Sequence, residues 1–413
     1  MVRKNDSGIV NVVHPICCGL DVHKEKISAC LLIGDAFGGQ NVEVEEFGTF
    51  TDDLIRMRSW LLDHDCPIAA MESTGIYWRP VHNVLEGYME VILVNARHIK
   101  NVPGRKTDIS DSKWLAGLLR HGLLKGSFIP PGEVREWRDL TRLRRTYVES
   151  LGDYKRRTHK LFESANIKID SVVSDLFGVT GRNLMRLLSE GRPVLSPKDV
   201  EGSLKGKLKA KREELFRSIQ GFFMDHHRYV LSSLLRTIEG LEREIEAIND
   251  RLRKVMSSRE PLLERLMEVA GISEVSARAI LAETGPTMDS FKTSAALCSW
   301  AGLCPGNNES AGKRHSGKSP VKKHHLKTIM IEVAWAAVKV KGSYRLKARR
   351  GSRRAIVAIA HRLLKAIFHI IRDGVSFRDL GQQFLDRRKR GASKVKRLKE
   401  QAQALGYNLV AQA

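Results

Sequence analysis

The chain has 413 residues, 42% hydrophobic and 28% charged, with a formal net charge of +23. That length calls for two or three domains rather than one, and the balance is that of a folded globular protein, which excludes a disordered or collagen-like chain. No apolar run reaches the ~20 residues that span a bilayer, and residues 1–14 hold no apolar leader segment, so no membrane partner is expected and the cytoplasm is the expected location.

In chain order, 16–22, 26–33 and 41–47 are short apolar or alternating runs that predict three successive strands, with a turn at 34–39. Residues 51–64 predict a helix capped by Thr51, with Leu54, Met57, Leu61 and Leu62 on one face. A buried strand at 67–73, a helix at 78–87, a strand at 91–95 and a helix at 109–121 follow. The order β-β-β-α-β-α-β-α predicts a mixed sheet flanked by helices, the chain order of a ribonuclease-H-like α/β domain, over 1–129.

From 130 to 259 the pattern becomes helical and charged, with a helix expected over 134–165 and a connector over 191–206. At 231–255, Leu231, Leu234, Ile238, Leu241, Ile245, Ile248, Leu252 and Val255 step alternately by three and four. That is a coiled-coil seam, open at this level to pairing with the earlier helix or with a second copy of the chain. A mostly helical C-terminal domain is expected over 260–413. In it, helices at 263–269 and 275–284 flank the turn Gly271-Ile272-Ser273, a pattern open between an ordinary helical corner and a helix-hairpin-helix whose amides approach a phosphate backbone. A segment at 294–301, a loop at 302–323 and a helical run through Trp335 to 371 complete the chain.

Charge is unevenly spread. Residues 1–125 hold 14 Lys and Arg against 16 Asp and Glu, a balance of −2, which leaves +25 on the remainder. Between Ser310 and Arg372 there are 17 basic residues and one acid, Glu332, a pattern that points to a polyanion such as nucleic acid. The six cysteines form no C-x-x-C pair and sit mostly in apolar segments, so buried reduced thiols are expected; a zinc site using His324 and His325 lacks ligand spacing.

Asp21 stands near the end of the first predicted strand and Glu72 at the end of the fourth, each a lone carboxylate after apolar residues. Asp108 and Asp111 open the last helix of the domain, three apart and so on one side of its N-terminus. In a sheet of this order the first and fourth strands are neighbours with that helix across their ends, so the four would converge. Two like charges about 4 Å apart repel by about 4 kcal/mol at an effective dielectric near 20, and a divalent cation removes the penalty. Oxygen ligands alone favour Mg²⁺, or Mn²⁺, over zinc, and such ions suit phosphodiester chemistry. Structural alternatives remain at this point: Asp108 as an N-cap with Asp111 against the helix dipole, Asp21 paired with Lys24, Glu72 with an arginine.

Four segments together carry a family resemblance. They are Gly19-Leu-Asp-Val-His-Lys24, Met71-Glu-Ser-Thr-Gly75, Val94-Asn-Ala-Arg97 running into Arg105-Lys-Thr-Asp-Ile-Ser-Asp-Ser-Lys-Trp-Leu-Ala116, and Gly302-Leu-Cys-Pro-Gly-Asn-Asn-Glu-Ser-Ala-Gly312. The chain resembles the DEDD transposases of bacterial insertion sequences, the group related to Piv-type DNA invertases and described as bridge-RNA-guided recombinases. The resemblance implies a RuvC-like nuclease domain with Asp21, Glu72, Asp108 and Asp111 as Mg²⁺ ligands. It implies a C-terminal transposase domain whose serine joins DNA covalently; by position this is Ser310, with Ser316-Gly317 six residues on as a rival. Donor and target DNA, a guide RNA, a homodimer or homotetramer and a nucleoid location are likewise implied. Lys313, Arg314, Lys318, Lys322 and Lys323 beside the serine are candidates for holding phosphates.

Overall fold

The computed structural model describes residues 12–34, 41–73, 75–95, 111–191, 194, 196–304, 308–310, 313–316, 324–339, 352–378, 397–403 and 406–407, with backbone alone at 308–310 and 313–316. The chain divides into two compact units, Met1–Ile129 and Pro130–Ala413.

The first unit is built on a five-stranded sheet. Strands β1 (Ile16–Val22), β2 (Lys26–Ile33) and β3 (Asn41–Gly48) run antiparallel in succession. Strands β4 (Ile68–Glu72) and β5 (Glu90–Val94) continue the sheet in parallel beyond β1, giving the order β3-β2-β1-β4-β5. The neighbourhood of β1 and β4 is the one expected from the element order. Helices α1 (Thr51–Asp63), α2 (Trp78–Leu85) and α3 (Asp111–Arg120) complete the unit.

Alternation along each strand sorts the side chains into two layers. Cys18, Leu20, Ala29, Leu31, Ala69 and Met71 meet Leu54, Met57 and Leu61 of α1 and Val81 and Leu85 of α2. Cys17, Cys30, Leu32, Ile68 and Ala70 meet Ala116 and Leu119 of α3 on the opposite face. Edge strand β3 carries Glu43, Glu45 and Glu46, charges that discourage pairing with another chain. Two details of α1 depart from expectation. Phe50, not Thr51, is the N-cap and makes no side-chain cap bond, and Leu62 is 39% exposed because the buried stripe runs through Leu54, Met57 and Leu61.

The second unit is dominated by helices. Two long ones, α4 (Gly132–Ser164) and α8 (Asp225–Val255), lie antiparallel: Arg251 meets Glu136, Arg144 meets Asn249 and Lys155 meets Glu242 in descending register. Of the seam residues of α8, Leu231, Leu234, Ile238, Ile248 and Leu252 are buried, whereas Leu241, Ile245 and Val255 stay half-buried. The seam is thus met in large part inside the chain, although a regular coiled coil is not established. At the 164 end of α4, short helices α5 (Ile169–Val172), α6 (Val179–Glu190) and α7 (Arg212–Ser218) surround Phe162, Ile167, Leu184, Met185 and Leu215. The expected connector includes a 3-10 helix, Pro197–Ser203, and follows α6, which ends on left-handed Gly191.

At the other end stand α9 (Glu260–Met267), α10 (Glu274–Thr284) and α11 (Ser294–Trp300), then the ribbon β6 (Asn308–Ser310) and β7 (Lys313–Ser316), then α12 (His325–Lys339) and α13 (Ser352–Asp373). The expected loop at 302–323 therefore contains a two-stranded ribbon, and the described residues of the expected helical run to 371 form two helices. Ser273 caps α10 reciprocally with Ser276. Gly271 before it has φ +86, and a Cβ there would fall 2.5 Å from the Val333 carbonyl oxygen of α12. Packing of the turn against α12 is thus why glycine stands at 271.

Candidate functional site

The site residues of the first unit are placed by one face of its sheet. On β1, Cys17, Gly19 and Asp21 alternate toward α3; the Cys17 thiol donates to the Ala116 carbonyl across 3.6 Å. Gly19 is the point of closest approach: a Cβ there would fall 2.2 Å from the Ser112 carbonyl oxygen and 2.4 Å from the Ala116 nitrogen. Glycine lets the backbone of α3 rest directly on β1. Asp21, two residues further, therefore points to the side on which α3 begins.

Glu72 reaches the same side by the same alternation, after Ile68 and Ala70. The parallel register pairs Leu20 with Met71, so Asp21 and Glu72 are the next residues on adjacent strands. Asp111 opens α3, and its neighbour Ser112 is fully buried with its hydroxyl 3.2 Å from that of Ser28. Ser28 in turn is the cross-strand partner of Asp21. Asp21, Glu72 and Asp111 thus share one face and one edge of the sheet.

Sharing a face is less than forming a cage. Among the described residues, no three His, Cys, Asp or Glu side chains come close enough to hold a metal ion. Asp108, the fourth candidate, lies outside the described residues. The donor set still fits a hard cation: it is all carboxylate oxygen, with the Asp21 side chain 25% exposed and Asp111 open to solvent. The hydrogen-bond partner of Asp21 is His23, whose Nε2 lies 3.2 Å from Oδ2, and not Lys24. Sequence reasoning missed His23, although a residue two along a strand faces the same side.

In the second unit, Ser310 ends β6 opposite Lys313, and Ser316 pairs with Asn308 at the other end of the ribbon. The two candidate serines therefore sit at opposite ends of one short hairpin. Arg314 lies opposite Glu309, while Lys318, Lys322 and Lys323 fall outside the described residues.

The second unit also contains a buried acid that the sequence did not reveal. Glu283 of α10 is 2% exposed and is clamped by Arg142 of α4, which donates Nε–H to Oε1 at 2.9 Å and Nη2–H to Oε2 at 3.0 Å. Arg138, one turn earlier, donates to the backbone carbonyls of Ala282 and Glu283. Two guanidiniums and a carboxylate thereby satisfy one another where water is scarce.

Comparison with known families adds the decisive observation. The family model DEDD_Tnp_IS110, described as a transposase, matches residues 18–167, and that of the transposase IS116/IS110/IS902 family matches residues 263–351. The chain carries the transposase domains of the IS110 family. The first match begins within β1 and spans all four candidate carboxylates; the second spans the Gly271 turn, Ser310 and Ser316. No curated protein matches the chain. An IS110-family transposase belongs to an insertion sequence and acts on DNA by phosphoryl transfer, and its DEDD domain implies dependence on a divalent metal. Among the described residues of this transposase, no helix is long and apolar enough to cross a membrane.

Proposed function

We propose that this transposase is an RNA-guided recombinase that cuts and rejoins DNA through a covalent phosphoserine link, using Mg²⁺ or Mn²⁺ held by Asp21, Glu72, Asp108 and Asp111. The observation that carries the reading is the placement of Asp21 and Glu72 on adjacent parallel strands, on the face where α3 begins with Asp111. A bound divalent ion there would supply charge neutralisation and activation of a phosphoryl oxygen. The His23 ring, with Nε2 3.2 Å from Asp21 Oδ2, leaves the other Asp21 oxygen for the ion.

Ser310 is the proposed nucleophile. Its hydroxyl attacks a DNA phosphorus, the serine oxygen–phosphorus bond forms, and the bond to the leaving deoxyribose oxygen breaks, the proton passing from serine to that oxygen. The phosphoester is conserved, so a second deoxyribose hydroxyl can reverse the step on another strand without external nucleotide. Lys313 and Arg314, on the facing strand, are proposed to hold the flanking phosphates. A guide RNA is proposed to choose both donor and target DNA, the protein reading backbone and shape. Assembly as a homodimer or homotetramer, with location at the nucleoid, belongs to the same reading.

The experiment combines full-length protein, the RNA that copurifies with it, Mg²⁺ and labelled DNA, followed by denaturation. A labelled band that resists SDS, lost in Ser310→Ala and on chelation but kept in Ser316→Ala, is expected. Loss in Ser316→Ala alone moves the nucleophile to the other end of the ribbon. Nicked, unattached DNA in every variant overturns the covalent mechanism and leaves a metal-only nuclease.

A further inference from the structure

Within the second unit, α4, α8, α10 and α12 line an open cavity of about 430 Å³. That volume lies in the range of sites that take a small organic ligand, about 300–1,000 Å³. Its wall combines two chemistries. Val148, Leu252, Val275 and Ile329 give an apolar surface, of which Val148 and Val275 remain 42% and 40% exposed.

Around them stand five arginines and four glutamates. Arg142 is bound by Glu283, Arg145 by Glu149 and Glu332, and Arg253 and Arg278 both by Glu274. Arg144 differs. Among the described residues it has no ion-pair partner, and its Nε–H donates instead to the neutral amide oxygen of Asn249 at 2.6 Å. Burial disfavours its charge, and nearby Glu246 offsets this only in part. The cavity thus lacks one anion and offers apolar contact to a flat group.

We propose that this cavity takes one unpaired nucleotide of the nucleic acid the transposase handles, with the base against Val148, Leu252, Val275 and Ile329 and a phosphate on Arg144. A phosphate completes the ion pairing of the wall, and a base covers apolar surface that is otherwise wet. Duplex satisfies only the phosphate half, because its bases are stacked and paired. The pocket therefore selects single-stranded or extruded nucleotides. This rests on the transposase being a nucleic-acid enzyme and is independent of the carboxylates and of Ser310.

The test uses full-length protein in EDTA, so that failure of the metal chemistry cannot affect it. A fluorescent single-stranded RNA, an abasic oligonucleotide of equal length and a DNA duplex are titrated by anisotropy. Ala279→Trp, which fills the cavity from α10, is expected to weaken the single strand about tenfold and to leave abasic and duplex affinities unchanged. Arg144→Gln is expected to weaken single-stranded and abasic probes alike and to lower the salt slope by about one. Wild-type single-strand affinity in Ala279→Trp, or equal weakening toward all three probes, overturns the proposal. Should Ala279→Trp fail to fold, 4-thiouridine crosslinking of the unmodified protein decides: adducts on peptides holding Val148, Val275 or Ile329 support the site, and adducts elsewhere alone overturn it.

Discussion

The two units solve opposite electrostatic problems. The first carries a slight negative balance and sets Asp21, Glu72 and Asp111 along one sheet edge; the second carries +25 on a helical frame. One creates a demand for cations and the other a demand for anions, so a polyanion substrate and a divalent ion are complementary to the chain as a whole. On the proposed mechanism, the difference teaches that catalysis and grip need not compete for the same residues. It also makes separable losses the expected outcome of mutation.

The largest expected effect is on cleavage. Asp21→Asn or Glu72→Gln should lower DNA cleavage at least about a thousandfold while binding in EDTA stays within about twofold of wild type. Parallel loss of binding would break the division of labour. Next comes Glu283→Ala, which removes both acceptors of Arg142 and the carboxylate beside buried Arg138, whose bonds to the backbone remain. A loss of about 3–5 kcal/mol is expected, read as an earlier unfolding transition of the helical unit. Gly19→Ala should cost about 1–3 kcal/mol, because its methyl overlaps the backbone of α3. Its signature is a loss of cleavage, with melting of the first unit, and retained nucleic-acid binding.

The smallest effect concerns thiols, one in each unit. Burial pushes Cys17 and Cys298 up to about 12, above the usual 9.0. A raised thiol stabilises the native state while protonated, so this contribution is whole below pH 9 and is lost as pH rises from 9 toward 12. Alkylation by iodoacetamide at pH 8 should therefore be slow at both sites in native protein and rapid after unfolding. Faster reaction at Cys17 would show that the sheet unit opens more readily than the helical one.

Much of this could be read beforehand, for identifiable reasons. The five strands of the first unit follow from uninterrupted or alternating apolar runs, and the placement of Asp21 and Glu72 follows from their positions at strand ends. The element order then fixes β1 beside β4. By contrast, Thr51 looked like a cap only because its chemistry suits one, whereas the backbone turns one residue earlier at Phe50. The β6–β7 ribbon was hidden because Asn308-Glu309-Ser310 and Lys313-Arg314-His315-Ser316 have no apolar alternation. The Arg142–Glu283 clamp joins residues 141 apart, and no local pattern announces such a partnership.

Gly19 has a consequence for the timing of the chemistry. With no side chain between them, strand and helix touch backbone to backbone, and the start of α3 cannot rock by the thickness of a methyl group without breaking that contact. Asp111 consequently inherits the stiffness of the sheet rather than the looseness of a helix end. On the proposed mechanism, charged groups anchored in this way need little rearrangement when a phosphate arrives, so the energetic outlay for aligning them is met during folding, long before any DNA is engaged.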